Sequence, residues 1–166
     1  MKKILSVIVV VVVTLTQTAQ ITAFAQETDK PAVNAQACVL YCVDDGKVYF
    51  SVNENKKMNP ASTTKLMTSL ITLEYADSAD KVVDFTKDMT AEGSSMYLKV
   101  GEKVKLSDLA AGMMMASGND AANAAAISIA GSAEKFSELM NNRAAVIGMK
   151  NTHFVTPSGL DDENHY

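Results

Sequence analysis

At 166 residues the chain is long enough for one domain with a real core and too short for two ordinary ones. Its 48% hydrophobic and 20% charged residues exclude a disordered tail. With 15 Lys+Arg against 19 Asp+Glu the formal charge is −4, which gives no basic field to hold nucleic acid.

The chain opens as an export signal is built. Lys2 and Lys3 form a basic head, the run 4–15 is almost unbroken in its apolarity, and Ala23-Phe24-Ala25 places small residues at cleavage positions. Residues 1–25 are therefore expected to be a signal peptide. The alternative is an uncleaved anchor helix, but the apolar run is shorter than the roughly 20 residues that a span requires. Cleavage leaves 13 basic against 19 acidic residues, so the exported protein is mildly acidic. Residues 26–36 are small and polar and are expected to form a flexible leader.

The folded part is expected from residue 37. The runs 37–43 and 47–52, joined by Asp44-Asp45-Gly46, carry the pattern of a β-hairpin with an Asp-Gly turn. The two cysteines, Cys38 and Cys42, both lie in its first strand. Residues four apart on a strand are separated by about 13 Å, and a disulfide spans no more than about 7 Å between Cα atoms. Both are expected to be small buried hydrophobes. No metal site is expected, since His153 and His165 stand far from both cysteines in sequence and no C-x-x-C pair occurs.

After a polar stretch the period becomes helical, with Leu66, Met67, Leu70, Ile71 and Leu73 on one face of a helix starting near Ser62. Residues 82–85 read as extended, and a second hairpin is expected from 96–100 and 104–106 around Gly101-Glu102. Ser107 stands as an N-cap for a helix over 109–116. A turn at Ser117-Gly118-Asn119 precedes an Ala-rich helix over 121–130, which Gly131 closes. Ser132 caps a further helix over 133–147, ended by Gly148. Residues 151–155 are extended in character, Thr156-Pro157-Ser158-Gly159 is a turn, and the remaining residues are polar. Two opening strands without later ones to join them mean either a mostly helical domain with a marginal hairpin or a fragment.

Chemistry enters at Ser62-Thr63-Thr64-Lys65. A serine hydroxyl needs a neighbouring base to become a nucleophile. Three positions apart at a helix start, Ser62 and Lys65 share a face. Burial and the positive helix end both push a lysine pKa down, which would make Lys65 a base. The plain alternative makes Ser62 an N-cap and Lys65 a first-turn surface residue. Ser117-Gly118-Asn119 lies between two apolar helices, where a hydroxyl could relay a proton and an amide could hold a substrate backbone. Taken alone, it reads better as a helix-to-helix turn with Asn119 as the next N-cap.

Taken together, Pro60-Ala61-Ser62-Thr63-Thr64-Lys65-Leu66-Met67-Thr68, Gly93-Ser94-Ser95-Met96-Tyr97-Leu98, Ser117-Gly118-Asn119-Asp120-Ala121-Ala122, Thr156-Pro157-Ser158-Gly159-Leu160-Asp161 and Asp162-Glu163-Asn164-His165-Tyr166 resemble the low-molecular-mass penicillin-binding proteins. These are the serine-type D-alanyl-D-alanine carboxypeptidases, and the likeness runs from about residue 37 to the end. It implies an α/β fold of the serine β-lactamase/transpeptidase type, with residues 37–166 as the N-terminal portion of the catalytic domain: a helical cluster and an N-terminal β-hairpin, without the C-terminal strands. It further implies Ser62 as acylated nucleophile, Lys65 as general base, Ser117 as proton relay and Asn119 as substrate-binding residue. The implied substrate is a peptidoglycan stem peptide ending in D-Ala-D-Ala, with β-lactams acylating the same serine, no cofactor and no metal. The implied location is the cell envelope, with membrane association only through a C-terminal part beyond these residues. The family's third motif, Lys-Thr-Gly or a variant, does not occur in the 166 residues, so this stretch alone is expected to be nearly inactive. The alternatives are a class A-like β-lactamase, disfavoured because no glutamate sits in a Glu-x-x-Leu-Asn pattern, and a non-catalytic truncated fragment.

Overall fold

The computed structural model of the protein describes residues 31–166, so the expected signal peptide and residues 26–30 of the expected leader lie outside the described residues. Residues 31–36 are exposed and form no helix or strand. The chain divides into two units, one ending at Asn55 and one running from Lys56 to Tyr166.

The described part of the first unit is the expected hairpin. Strand β1 (Cys38–Cys42) pairs antiparallel with β2 (Lys47–Val52), with Leu40 opposite Phe50. The register then shifts, placing Tyr41 opposite Val48. Gly46 takes φ 69°, the left-handed conformation that the turn demands. Asp45 accepts from the Tyr49 hydroxyl at 2.7 Å and from the Lys47 N–H at 3.1 Å. The Tyr49 bond is the main cause that holds its carboxyl below the ordinary value. Cys38 and Cys42 correct an expectation: they are half-buried rather than buried, while Val39, Leu40 and Tyr41 between them are exposed. A ribbon of two strands cannot cover both of its own faces.

In the second unit a 3-10 turn (Ala61–Thr64) runs into α1 (Lys65–Ser78). Strand β3 (Val82–Asp84) and strand β4 (Lys103–Lys105) form a second antiparallel pair. Helices α2 (Leu106–Ala116), α3 (Asn119–Ala130) and α4 (Ala133–Val146) follow. Helix α3 is central because it is built of alanine. Ala121, Ala122, Ala124 and Ala125 join Phe85, Leu106, Leu109 and Met113 in one apolar cluster, and Ala126 joins Met67, Ile71, Phe136 and Phe154 in another. Small side chains on nearly every face let neighbouring helices approach closely, and the helix is buried almost all round. The Ser132 hydroxyl accepts from the Lys135 N–H and caps α4, and Gly131 ends α3 with φ 85°.

Three expectations fail here for identifiable reasons. Residues 96–100 are not a strand, and β4 pairs with β3 instead. The N–H groups of Met96 and Leu98, which a ladder would need, are taken by the Asp120 carboxylate at 2.8 and 3.1 Å. Ser107 is not an N-cap but lies inside α2, whose first turn is capped from elsewhere in the chain: Asp80 accepts both its N–H (3.0 Å) and its hydroxyl (2.8 Å). The expected apolar face of α1 is only partly buried. Met67 and Ile71 are inside, but Leu66, Leu70 and Leu73 are exposed. The helix instead buries Lys65, Thr68, Ser69 and Thr72, and the threonines are hydrogen-bonded there. Thr68 donates to the carbonyl of Pro157 at 2.6 Å, and Thr72 to that of Thr68 at 2.7 Å.

Candidate active site

The start of α1 is where the chain does something a plain helix start does not. Ser62 makes no capping bond, and regular α-helix begins only at Lys65. Ala61, just before the serine, takes φ 48°, a left-handed conformation that costs a non-glycine residue on the order of 1 kcal/mol or more. The Ser62 hydroxyl is thereby left exposed, and Lys65 beneath it is fully buried. Lys65 Nζ lies 3.1 Å from Ser62 Oγ and donates to the carbonyl oxygen of Ser158 at 2.7 Å. Burial pushes the Lys65 ammonium below its ordinary pKa.

Ser117 approaches from the other side. It follows α2 in the left-handed region, φ 53°, a C-cap position where glycine is usual. In that conformation its hydroxyl donates to Ser62 Oγ at 2.9 Å. Ser62 Oγ therefore has a buried amine on one side and a second hydroxyl on the other, brought together across 55 positions of sequence.

Asn119 is the first residue of α3, with Gly118 rather than Asn119 at the N-cap. It is buried; its Nδ2 donates to the carbonyl of Glu92 at 2.6 Å and its backbone N–H to that of Ser94 at 2.8 Å. Gly93 is constrained here, since it takes φ 83° and a Cβ would lie 3.0 Å from Asn119 Nδ2. The segment 92–98 is thus moulded onto the start of α3.

Asp120, which sequence reasoning passed over, does the moulding. Its buried carboxylate accepts from the N–H groups of Met96, Leu98 and Ala121 and from the Ser95 hydroxyl, all within 3.1 Å. Burial raises its pKa, and these bonds, Met96 first, outweigh burial and leave it below the ordinary carboxylate value. Asp120→Asn puts an NH2 against N–H donors and is expected to cost about 3 kcal/mol in denaturant unfolding at pH 7. The native contribution is present above roughly pH 4 and is lost as pH falls through the lowered folded value. A change under about 0.5 kcal/mol would show that the network is dispensable.

The Thr-Pro-Ser-Gly turn supplies the other support that the sequence did not announce. Its contribution to Lys65 is the main-chain carbonyl of Ser158, which side-chain identity does not reveal. Gly159 takes φ 81°, and a Cβ there would lie 1.9 Å from the carbonyl oxygen of Ala61. Only glycine lets this turn rest against the backbone beside Ser62. Among the described residues no cluster of three or more His, Cys, Asp or Glu converges.

Known proteins share this arrangement of elements. The sequence profile of D-alanyl-D-alanine carboxypeptidases matches residues 24–166. The D-alanyl-D-alanine carboxypeptidase DacF of Bacillus subtilis is 38% identical over 175 residues, covering all of this chain and 44% of the relative. The crystal structure of the carboxypeptidase DacD from Francisella tularensis superposes with a TM-score of 0.76 at 36% identity, over 82% of this chain and 34% of that one. Penicillin-binding protein D2 from Listeria monocytogenes, solved in its ampicillin-bound form, gives 0.67 at 32% identity, over 81% and 56%. The chain therefore spans less than half of the Bacillus and Francisella relatives. The fold is α/β, of the penicillin-binding protein and serine transpeptidase type, and the chain belongs to the D-alanyl-D-alanine carboxypeptidase family.

Proposed function

We propose that the protein carrying this chain is a serine-type D-alanyl-D-alanine carboxypeptidase, with Ser62 as nucleophile, Lys65 as general base, Ser117 as proton relay and Asn119 as substrate-binding residue. The observation that carries the reading is the contact of Ser62 Oγ with a buried lysine amine at 3.1 Å and a second hydroxyl at 2.9 Å. In the neutral amine one N–H stays on the Ser158 carbonyl, and the lone pair faces the Ser62 hydroxyl.

Lys65 takes the Ser62 proton as Oγ bonds to the carbonyl carbon of the penultimate D-alanine. The tetrahedral adduct collapses by breaking the bond to the terminal D-alanine nitrogen. That nitrogen receives the proton from Lys65 through Ser117, and free D-alanine leaves an ester on Ser62. Water then attacks the ester by the same route in reverse. Asn119 Nδ2 donates one N–H to the Glu92 carbonyl, and in this reading its second N–H is the one a substrate carbonyl would take. A β-lactam enters the same sequence, but its leaving nitrogen stays tethered in the opened ring. The substrate class is the D-Ala-D-Ala end of peptidoglycan stem peptides, reached after export under the signal at residues 1–25, with residues 37–166 as part of the catalytic domain.

The protein expressed from its native gene, mixed with a peptide ending in D-Ala-D-Ala, should release D-alanine, and benzylpenicillin should block that release. Rapid hydrolysis of penicillin without D-alanine release would identify a β-lactamase instead.

A further inference from the structure

The segment 153–166 closes on itself. The His153 N–H donates to the Tyr166 carbonyl at 2.7 Å, the Tyr166 N–H returns to the His153 carbonyl at 3.0 Å, and His153 Nδ1 bonds the Asn164 carbonyl at 2.7 Å. A surface loop pinned at its neck is held in shape by what fills it. Here the filling is His165, 2% exposed, with its ring edge-on to Phe154 at 5.7 Å between centroids.

The partners of that ring fix its protonation. Nδ1 lies 3.2 Å from the N–H of Val155 and 3.3 Å from that of Thr156, so it must present a lone pair. The ring proton is then on Nε2, which donates to Thr64 Oγ1 at 2.8 Å. Thr64 stands between Ser62 and Lys65 in the acylation motif. The same loop lays the Pro157 carbonyl on Thr68 and the Ser158 carbonyl on Lys65. One imidazole thus ties the two N–H groups preceding these carbonyls to the helix start that receives them.

We propose that His165 is a positioning residue for acylation at Ser62: as the neutral Nε2–H tautomer it pins the turn 156–159 to the start of α1 and so seats the Ser158 carbonyl on Lys65. This rests on the functional reading above. The imidazolium form would set an Nδ1–H against two N–H donors, so protonation releases the turn. Burial is the main cause that lowers the His165 pKa. Asp162 opposes that effect and His153 adds to it, both from its own loop. On the helix start the ring's partner is Thr64, and the neighbouring Lys65 is engaged with Ser62 and Ser158. The folded protein therefore keeps His165 neutral below the roughly 6.5 of a free histidine. The unfolded chain takes up the proton first, so stability falls as pH drops below that value, and acylation falls only at the lower pH where the folded protein's own His165 takes up its proton.

The test compares wild type, His165→Gln and His165→Phe in the protein expressed from its native gene. A glutamine can accept from both N–H groups and donate to Thr64, yet does not titrate. It should rescue acylation by benzylpenicillin at pH 7.5 to within about threefold of wild type, and lose the limb of the acid-side pH profile that belongs to His165. Phenylalanine should slow acylation by about tenfold or more and speed amide exchange at Val155 and Thr156. In wild type, 15N shifts of His165 should show a bare Nδ1 and a protonated Nε2 at pH 7. A protonated Nδ1, an unchanged acid limb in the glutamine variant, or wild-type acylation by the phenylalanine variant would overturn the proposal. If the wild-type protein takes up no penicillin, the functional reading fails, while the 15N and exchange data still decide whether the histidine holds the turn.

Discussion

Ser62→Ala is expected to abolish covalent labelling by a fluorescent penicillin and to lower D-alanine release by at least about 10⁴-fold in the protein expressed from its native gene. The reason is positional. Ser117 Oγ is the other hydroxyl at the site, but its contact is with Ser62 Oγ, and the Lys65 amine meets Ser62. Removing Ser62 leaves a base with nothing to activate. The fold should tolerate the change, because Ser62 is exposed and makes no capping bond, so the melting temperature should stay within a few degrees. Undiminished labelling of the variant would remove Ser62 from the mechanism.

Lys65→Arg should be nearly as damaging, by about 10³-fold or more. Arginine keeps its proton at every accessible pH and cannot act as a base. In the native protein burial holds the lysine pKa below the roughly 10.4 of a free side chain. Acylation should therefore rise with pH through that lowered value and level off above it. Stability follows the same sign. Between the folded and unfolded pKa values the unfolded chain holds the extra proton, so this residue's burial cost diminishes as pH rises through that window. An arginine variant that acylates at the wild-type rate would reduce Lys65 to a source of charge.

How much of this could be read from the sequence depends on what kind of group acts. The hairpin at 38–52 and the three later helices follow from alternation, helical period, the Asp-Gly turn and the Ser132 cap, all local signals. Ser62, Lys65, Ser117 and Asn119 were legible as side chains at recognisable spacings, and the structure brings the first three into hydrogen-bond contact. The hairpin expected at 96–106 failed because a carboxylate from α3 takes the N–H groups that a strand would use. The Ser107 cap failed because Asp80 reaches it from another segment. The alternative placing Lys65 on the surface failed because the 156–159 turn covers it. The Ser158 carbonyl has no side-chain signature, and Asp120 and His165 act through backbone groups distant in sequence. What escaped the sequence is the polar scaffolding that holds the recognisable residues in place.

The most direct test of the account is the position of the acyl group. The protein expressed from its native gene, incubated with benzylpenicillin, quenched and digested, should yield one modified peptide by mass spectrometry, carrying the added mass of the opened antibiotic on Ser62. An adduct on Ser117 or Lys65, or intact protein of unchanged mass, would contradict the claim that the Lys65–Ser62–Ser117 contact is an acylation centre.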